Sequence, residues 1–194
     1  MQRPIPKDEA IELDFNKIII SKTDPRGIIT YVNDYFLEVS GYSEGELIGK
    51  PHSIVRHPDM PKIAFKLMWD SISKGRPFTA AVKNLAKDGR YYWVIARFDQ
   101  VIDPETKKVV GHTAVSEHTA FRTPAPAEII QQIEPIYKKL VEIENSSGIK
   151  ASYEYLDGFL HANNTTYDEF IEGLVTKKGF LDKLQAKFGK IFRR

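Results

Sequence analysis

The chain has 194 residues, 42% of them apolar, a net charge of +2 and no cysteine. That apolar content builds a real core and excludes wholesale disorder, and the length gives room for one ordinary domain plus an extension. The small charge does not make nucleic acid a default partner, and the missing cysteines exclude disulfide frameworks, cysteine-based metal sites and thiol nucleophiles. Residues 1–10 lack the apolar stretch of a signal peptide, and no apolar run approaches the roughly 20 residues of a spanning helix.

Ile18, Ile19 and Ile20 form a β-branched run that predicts a strand. Asp24-Pro25-Arg26-Gly27 is a turn, and residues 28–32 return as a second strand. Asn33 or Asp34 caps a short helix reaching Val39. Residues 41–49 read as irregular, with Ser43 and Glu46 at capping-box spacing. Residues 61–73 are the clearest helix: Phe65, Met68, Trp69 and Ile72 fall on one face, and Gly75 and Pro77 end it. Residues 78–85 and 90–102 are strands joined by the Asp88-Gly89 turn, a further turn covers 103–106, and 108–119 form the last strand. A Pro-spaced linker over 123–126 leads to a tail. There 128–144 has a helical stripe of Ile129, Ile133, Ile136, Leu140 and Ile143, which Pro135 kinks or divides. Residues 145–148 break it, and 153–161 and 167–174 read as two more short helices.

A charged run, Val55-Arg56-His57-Pro58-Asp59-Met60-Pro61, stands directly before the helix that carries Phe65 and Trp69. An amide, Asn84, falls on the same strand face as Phe78, Ala80 and Val82. Flat apolar side chains beside polar groups are the ingredients of a pocket for a flat aromatic cofactor with polar edges. Each residue also has a plainer reading. Phe65 and Trp69 can be core, Asn84 can bond backbone or water at a strand end, and Asn33 can be a helix cap. Arg56, His57 and Asp59 can form a surface ion pair at a capped helix start.

The order of two strands, short helices and three strands resembles a PAS domain, as do residues 24–36 and 40–49. Residues 49–61 with Phe65, Met68-Trp69, Lys74-Gly75-Arg76-Pro77, Val82-Lys83-Asn84 and Tyr92-Trp93-Val94 are similar to the PAS sensor of bacterial aerotaxis receptors. The segments 134–140 and 173–180 continue the likeness into the tail. The resemblance implies an α+β PAS fold, a five-stranded antiparallel sheet with short helices on one face and a C-terminal helical extension. It divides the chain into an N-terminal extension (1–15), the PAS sensor (16–122) and a helical, basic tail (123–194).

It also implies a cytoplasmic redox sensor, not an enzyme, that binds FAD noncovalently and serves energy taxis. Asn33, Arg56, His57, Asp59, Phe65, Trp69 and Asn84 stand at the cofactor positions. Arg56 suits a cofactor phosphate, and His57 suits ribose, phosphate or a change of charge with the flavin. The partner implied is a membrane-bound, HAMP-containing chemoreceptor-type protein, with a homodimer as a further possibility. The chain is then either a stand-alone subunit or a piece of a longer receptor.

Catalytic motifs are absent: the carboxylates are scattered, and there is no Gly-rich phosphate loop, HExxH or serine elbow. His52 and His57 are poorly spaced for a metal, and His112, His118 and His161 look incidental. The missing cysteine excludes light sensing through a flavin–thiol adduct. Two alternatives stand beside the flavin reading: a haem PAS domain ligated through His57 or His52, and a cofactor-free interaction module. Residues 177–194 carry seven basic residues and one acid among bulky apolar side chains. That pattern suits the inner membrane surface, a partner groove or packing on the domain itself.

Overall fold

In a computed structural model the described residues are 3–74, 76–100 and 118–176. The expected turn at 103–106, most of the expected strand at 108–119, His112 and the basic tail at 177–194 lie outside them.

Five strands form one antiparallel sheet in the order β2-β1-β5-β4-β3. They are β1 (Ile19–Thr23), β2 (Ile29–Val32), β3 (Phe78–Leu85), β4 (Tyr91–Gln100) and β5 (His118–Pro124). Between β2 and β3 lie helices α1 (Asp34–Ser40) and α2 (Glu44–Leu47), a 3-10 turn (His52–Val55) and α3 (Lys62–Ile72). The α+β class, the strand count and the helices between the second and third strands agree with the sequence.

Local chemistry accounts for most boundaries. The Asn33 carboxamide oxygen accepts from the Phe36 backbone N–H and caps α1, which ends at Gly41. Ser43 and Glu46 form the expected capping box, and the stretch read as irregular contains the short α2. Asp24 Oδ1 accepts from the backbone N–H groups of Arg26 and Ile28, closing the turn between β1 and β2. Gly27, at φ +77°, completes it in a conformation that other residues resist.

β5 runs further than the sequence suggests. Thr123 and Pro124 pair with Ile95 and Val94 of β4, so the first half of the expected linker is strand. Pro124 is tolerated because β1 pairs only as far as Arg122, leaving no ladder bond for its missing N–H.

α4 (Ala127–Ala162) continues past Pro135 and has its non-helical residue at Gly148 (φ 85°, ψ 172°). Pro135 lies on the exposed side, where water can satisfy the freed Gln131 carbonyl. Gly148 falls in the expected 145–148 break, and the second half of α4 contains the helix expected over 153–161. α5 (Tyr167–Thr176) follows, with the Thr166 N–H bonded to Glu169 Oε2 at 2.8 Å.

The two tail helices share one hydrophobic cluster with the sheet. Ile129, Ile133, Tyr137, Leu140, Leu156, Ile171 and Val175 are buried in it. The Tyr137 hydroxyl donates to the Ala81 carbonyl on β3 (2.9 Å) and lies 2.7 Å from the Tyr167 hydroxyl, while Tyr167 stacks on Phe78. At the other end of the chain, Lys7, Glu9 and Ile11 bond to the backbone of Gly89 and Tyr91, strapping the N-terminal segment to the β3–β4 hairpin.

Candidate functional site

A cavity of about 170 Å³ lies between α3 and the sheet. Phe65, Met68, Trp69 and Ile72, the four residues that helical spacing puts on one face, all line it. The opposite wall is the sheet: Ser21 and Thr23 of β1, Val82 and Asn84 of β3, Phe98 of β4, and Ala120 and Arg122 of β5. Pro51, His52, Ser53 and Arg56 close one side, and Arg26 and Gly27 close another.

The apolar wall is held in place from behind. A β-carbon on Gly27 would stand 3.1 Å from Trp69 Cζ2, so the turn backbone packs directly on the indole. The Arg56 guanidinium lies 3.6 Å from the Phe65 ring centroid, a cation–π contact on the cavity lining.

Two polar groups on this lining have no well-formed hydrogen bond among the described residues. They are Arg56 Nε and Asn84 Nδ2, and Asn84 is only 3% exposed. The two residues are adjacent, because their backbones form an isolated antiparallel bridge. Buried donors are almost always satisfied, so this pair makes the cavity a candidate site for a group that carries acceptors. Behind Asn84 the buried Tyr92 hydroxyl also lacks a well-formed hydrogen bond. Burial raises its pKa, against the opposing pull of the Arg122 charge and Asn84.

Of the residues singled out from sequence, Arg56, Phe65, Trp69 and Asn84 converge on the cavity. Asn33, His57 and Asp59 do not line it. The Asn33 side chain is spent on backbone: it accepts from the Ile20 and Phe36 N–H groups and donates to the Ile18 carbonyl at 2.8 Å. This is the capping reading, extended to fasten β1 to α1.

His57 and Asp59 instead tie the 56–60 loop to β3. The His57 N–H donates to the Lys83 carbonyl, His57 Nδ1 accepts from the Asp59 N–H, and Lys83 Nζ donates to Asp59 Oδ2 at 2.8 Å. Burial, reinforced by the Lys83 charge, lowers the His57 pKa to about 4, so the ring is neutral at pH 7. Burial would raise the Asp59 pKa, but the Lys83 ammonium outweighs it and holds the carboxyl below the usual range. The knot holds the loop that carries Arg56 against β3, beside Asn84.

The sequence reading passed over Ser21 and Arg122 and weighed His52 only as a metal or haem ligand. Arg122 is 2% exposed; its NH1 donates to Ser21 Oγ at 2.9 Å and its NH2 lies 3.0 Å from His52 Nε2. His52 Nε2 is also 3.0 Å from Ser21 Oγ. The alternation of Ile19, Ser21 and Thr23, all buried, was a usable signal for Ser21. Arg122 gave none, since it stands beside the prolines that read as a linker.

Residues 29–115 match the family model described as PAS fold. The chain carries a PAS domain. It is 38% identical over 168 residues to the aerotaxis receptor of Escherichia coli K12, which takes in 87% of this chain and 28% of the receptor. It is 30% identical over 94 residues to a biofilm dispersion protein of Pseudomonas aeruginosa, covering 47% of this chain and 22% of that protein. It is also 30% identical over 88 residues to a nitrogen fixation regulatory protein of Klebsiella pneumoniae, covering 45% and 18%. The chain thus spans less than a third of the length of each.

Among solved structures it is similar to a light-oxygen-voltage domain studied with a flavin analogue (TM-score 0.49, 20% identity, 60% of this chain and 82% of that one). The light state of the Aureochrome1 LOV domain gives a TM-score of 0.48 at 19% identity, over 66% of this chain and 91% of that one. Among the described residues of this PAS protein, no helix is long and apolar enough to cross a membrane, and no group of three or more His, Cys, Asp or Glu could hold a metal ion.

Proposed function

We propose that the PAS domain binds FAD noncovalently between α3 and the sheet and works as a redox sensor of the energy-taxis type. The observation that carries this reading is the pairing of a flat apolar wall, Phe65 and Trp69, with the unpartnered donors Arg56 Nε and Asn84 Nδ2 on one cavity. An isoalloxazine ring matches it, with two apolar faces and a carbonyl-bearing edge. The 38% identity to an aerotaxis receptor across 87% of this chain supports the same reading.

When bound, the flavin supplies reversible electron uptake. The chain's own residues do the rest. Trp69, braced by Gly27, and Phe65, under the Arg56 guanidinium, wall the ring and exclude water. Asn84 and Arg56 orient it by donating hydrogen bonds, held by the His57–Asp59–Lys83 knot. A change at Asn84 is next to the outer layer: Lys83 pairs with Glu134 of α4 at 3.7 Å, and the Ala81 carbonyl anchors Tyr137. Redox state would therefore bias how α4 and α5 sit on the sheet, and through them the docking of a chemoreceptor-type signalling partner at the cytoplasmic side of a membrane.

The haem alternative is less favoured, because His52 Nε2 is engaged by Arg122 and Ser21 and His57 Nδ1 by the Asp59 N–H. Calorimetric titration of flavin-free protein with FAD and with FMN tests the proposal. FAD should bind at one equivalent, and Trp69→Ala should weaken it roughly 10- to 150-fold through loss of about 1.5–3 kcal/mol of apolar contact. A Trp69→Ala protein that binds FAD with the wild-type affinity would refute the pocket assignment. A Soret band in the purified protein would replace flavin with haem.

A further inference from the structure

Arg122 is a buried cation without a described counterion. It is 2% exposed, no carboxylate among the described residues pairs with it, and it lines the cavity. Its hydrogen-bond partners among the described residues are neutral: Ser21 Oγ, the Ala120 carbonyl (3.4 Å) and His52 Nε2. The Phe98 ring lies 5.7 Å away. Burial lowers the Arg122 pKa to about 10, which leaves the group charged at pH 7. His52 cannot share that charge. Burial and the Arg122 charge hold its pKa well below 6.5, so it is a neutral acceptor facing the guanidinium. A buried charge with only neutral partners is costly, and an anion brought beside it would offset that cost.

We propose that Arg122, oriented by Ser21 and His52, is the site's counter-charge for an anionic ring edge and holds the cofactor's reduced form as the anion. The inference rests on the flavin reading above. Reduction by two electrons can bring two protons to the ring, giving a neutral product, or one proton, giving an anion. Arg122 favours the second course. The electrons come from an external reductant, dithionite in the test below, and the proton comes from solvent. Removing or neutralising the guanidinium should weaken binding of the reduced ring more than of the oxidised ring. Ser21 and His52 act through Arg122 and are positioning residues.

The test is the midpoint potential of the FAD-loaded protein at pH 7, titrated with dithionite against a reference dye, for wild type, Arg122→Gln, Arg122→Lys and Ser21→Asp. Ser21→Asp leaves Arg122 in place and sets a carboxylate beside it, so it serves if Arg122→Gln does not fold. Arg122→Gln and Ser21→Asp should each lower affinity for reduced relative to oxidised flavin at least tenfold, a fall of about 30 mV or more. Arg122→Lys should retain most of the wild-type value. Unchanged potentials in variants that still hold FAD would overturn the counter-charge and leave the flavin reading intact. A wild-type protein that takes up no flavin would overturn both.

Discussion

Asn84 shows most directly how a side chain can be arranged for something other than the fold. Its Nδ2 is buried beside a cavity without a well-formed hydrogen bond, at a cost of up to about 1–3 kcal/mol. Asn84→Ala should therefore leave the flavin-free protein as stable or slightly more stable, while weakening FAD binding roughly 5- to 150-fold. Paired thermal melts and calorimetry check this; a variant that loses stability and keeps its affinity would make Asn84 a core residue. His57 makes the opposite case. Its folded pKa of about 4 lies below the unfolded value of about 6.5, so the unfolded chain binds the extra proton between those values. The stability it contributes is full above pH 6.5 and is lost as pH falls, by about 2 kcal/mol at pH 5. Denaturant midpoints from pH 7 to 4.5 should show that slope, and His57→Gln should flatten it. At this scale the sequence revealed the apolar side of the site and less of the polar side. Phe65 and Trp69 were legible from helical spacing, and Asn84 from strand alternation. Asn33, His57 and Asp59 had the right chemistry, but their hydrogen bonds are turned toward the backbone and Lys83, which no spacing rule reports.

At the scale of elements, α3 has an unusual source for its cap. Pro61, in the cap position, offers no side-chain hydrogen bond, and the N–H groups of Lys62 and Ile63 donate instead to Glu144 of α4, both at 2.8 Å. The helix bearing Phe65 and Trp69 is thus finished by a residue more than 80 positions away. A carboxylate there also meets the positive end of the helix dipole. Glu144→Ala should cost about 1–2 kcal/mol, lowering the melting temperature by roughly 2–8 °C. Hydrogen exchange should quicken selectively in the first turn of α3, whereas unchanged exchange there would contradict the capping role. Such long-range capping is invisible in sequence, while Ser43 with Glu46 could be read because both partners are local. The strand ends differ for a similar reason. β5 absorbs Thr123 and Pro124 because β4 is there to pair with them, and only the assembled sheet shows that neighbour.

At the scale of the whole molecule, the expected division at 122/123 separates segments that share a core. Tyr137 bonds to β3, Glu144 caps α3, and Ile129, Ile133, Leu140 and Ile171 are buried with the sheet. A chain ending at residue 126 would lose that layer and leave Ala81, Lys83 and Trp93 uncovered. It should unfold at markedly lower denaturant and expose apolar surface to a hydrophobic dye; a truncated module as stable as the full chain would show that the tail merely leans on the sheet. This arrangement suits a sensor, because the cavity and the outer helices meet at one strand, β3, through the consecutive residues Asn84 and Lys83. The most direct measurement of FAD in the cavity is the absorbance spectrum of the purified 194-residue chain, with chromatography of whatever heat releases. A cavity that holds FAD predicts flavin bands in the visible blue and released FAD near one equivalent. A spectrum empty above the protein band, still empty after incubation with FAD, would contradict it.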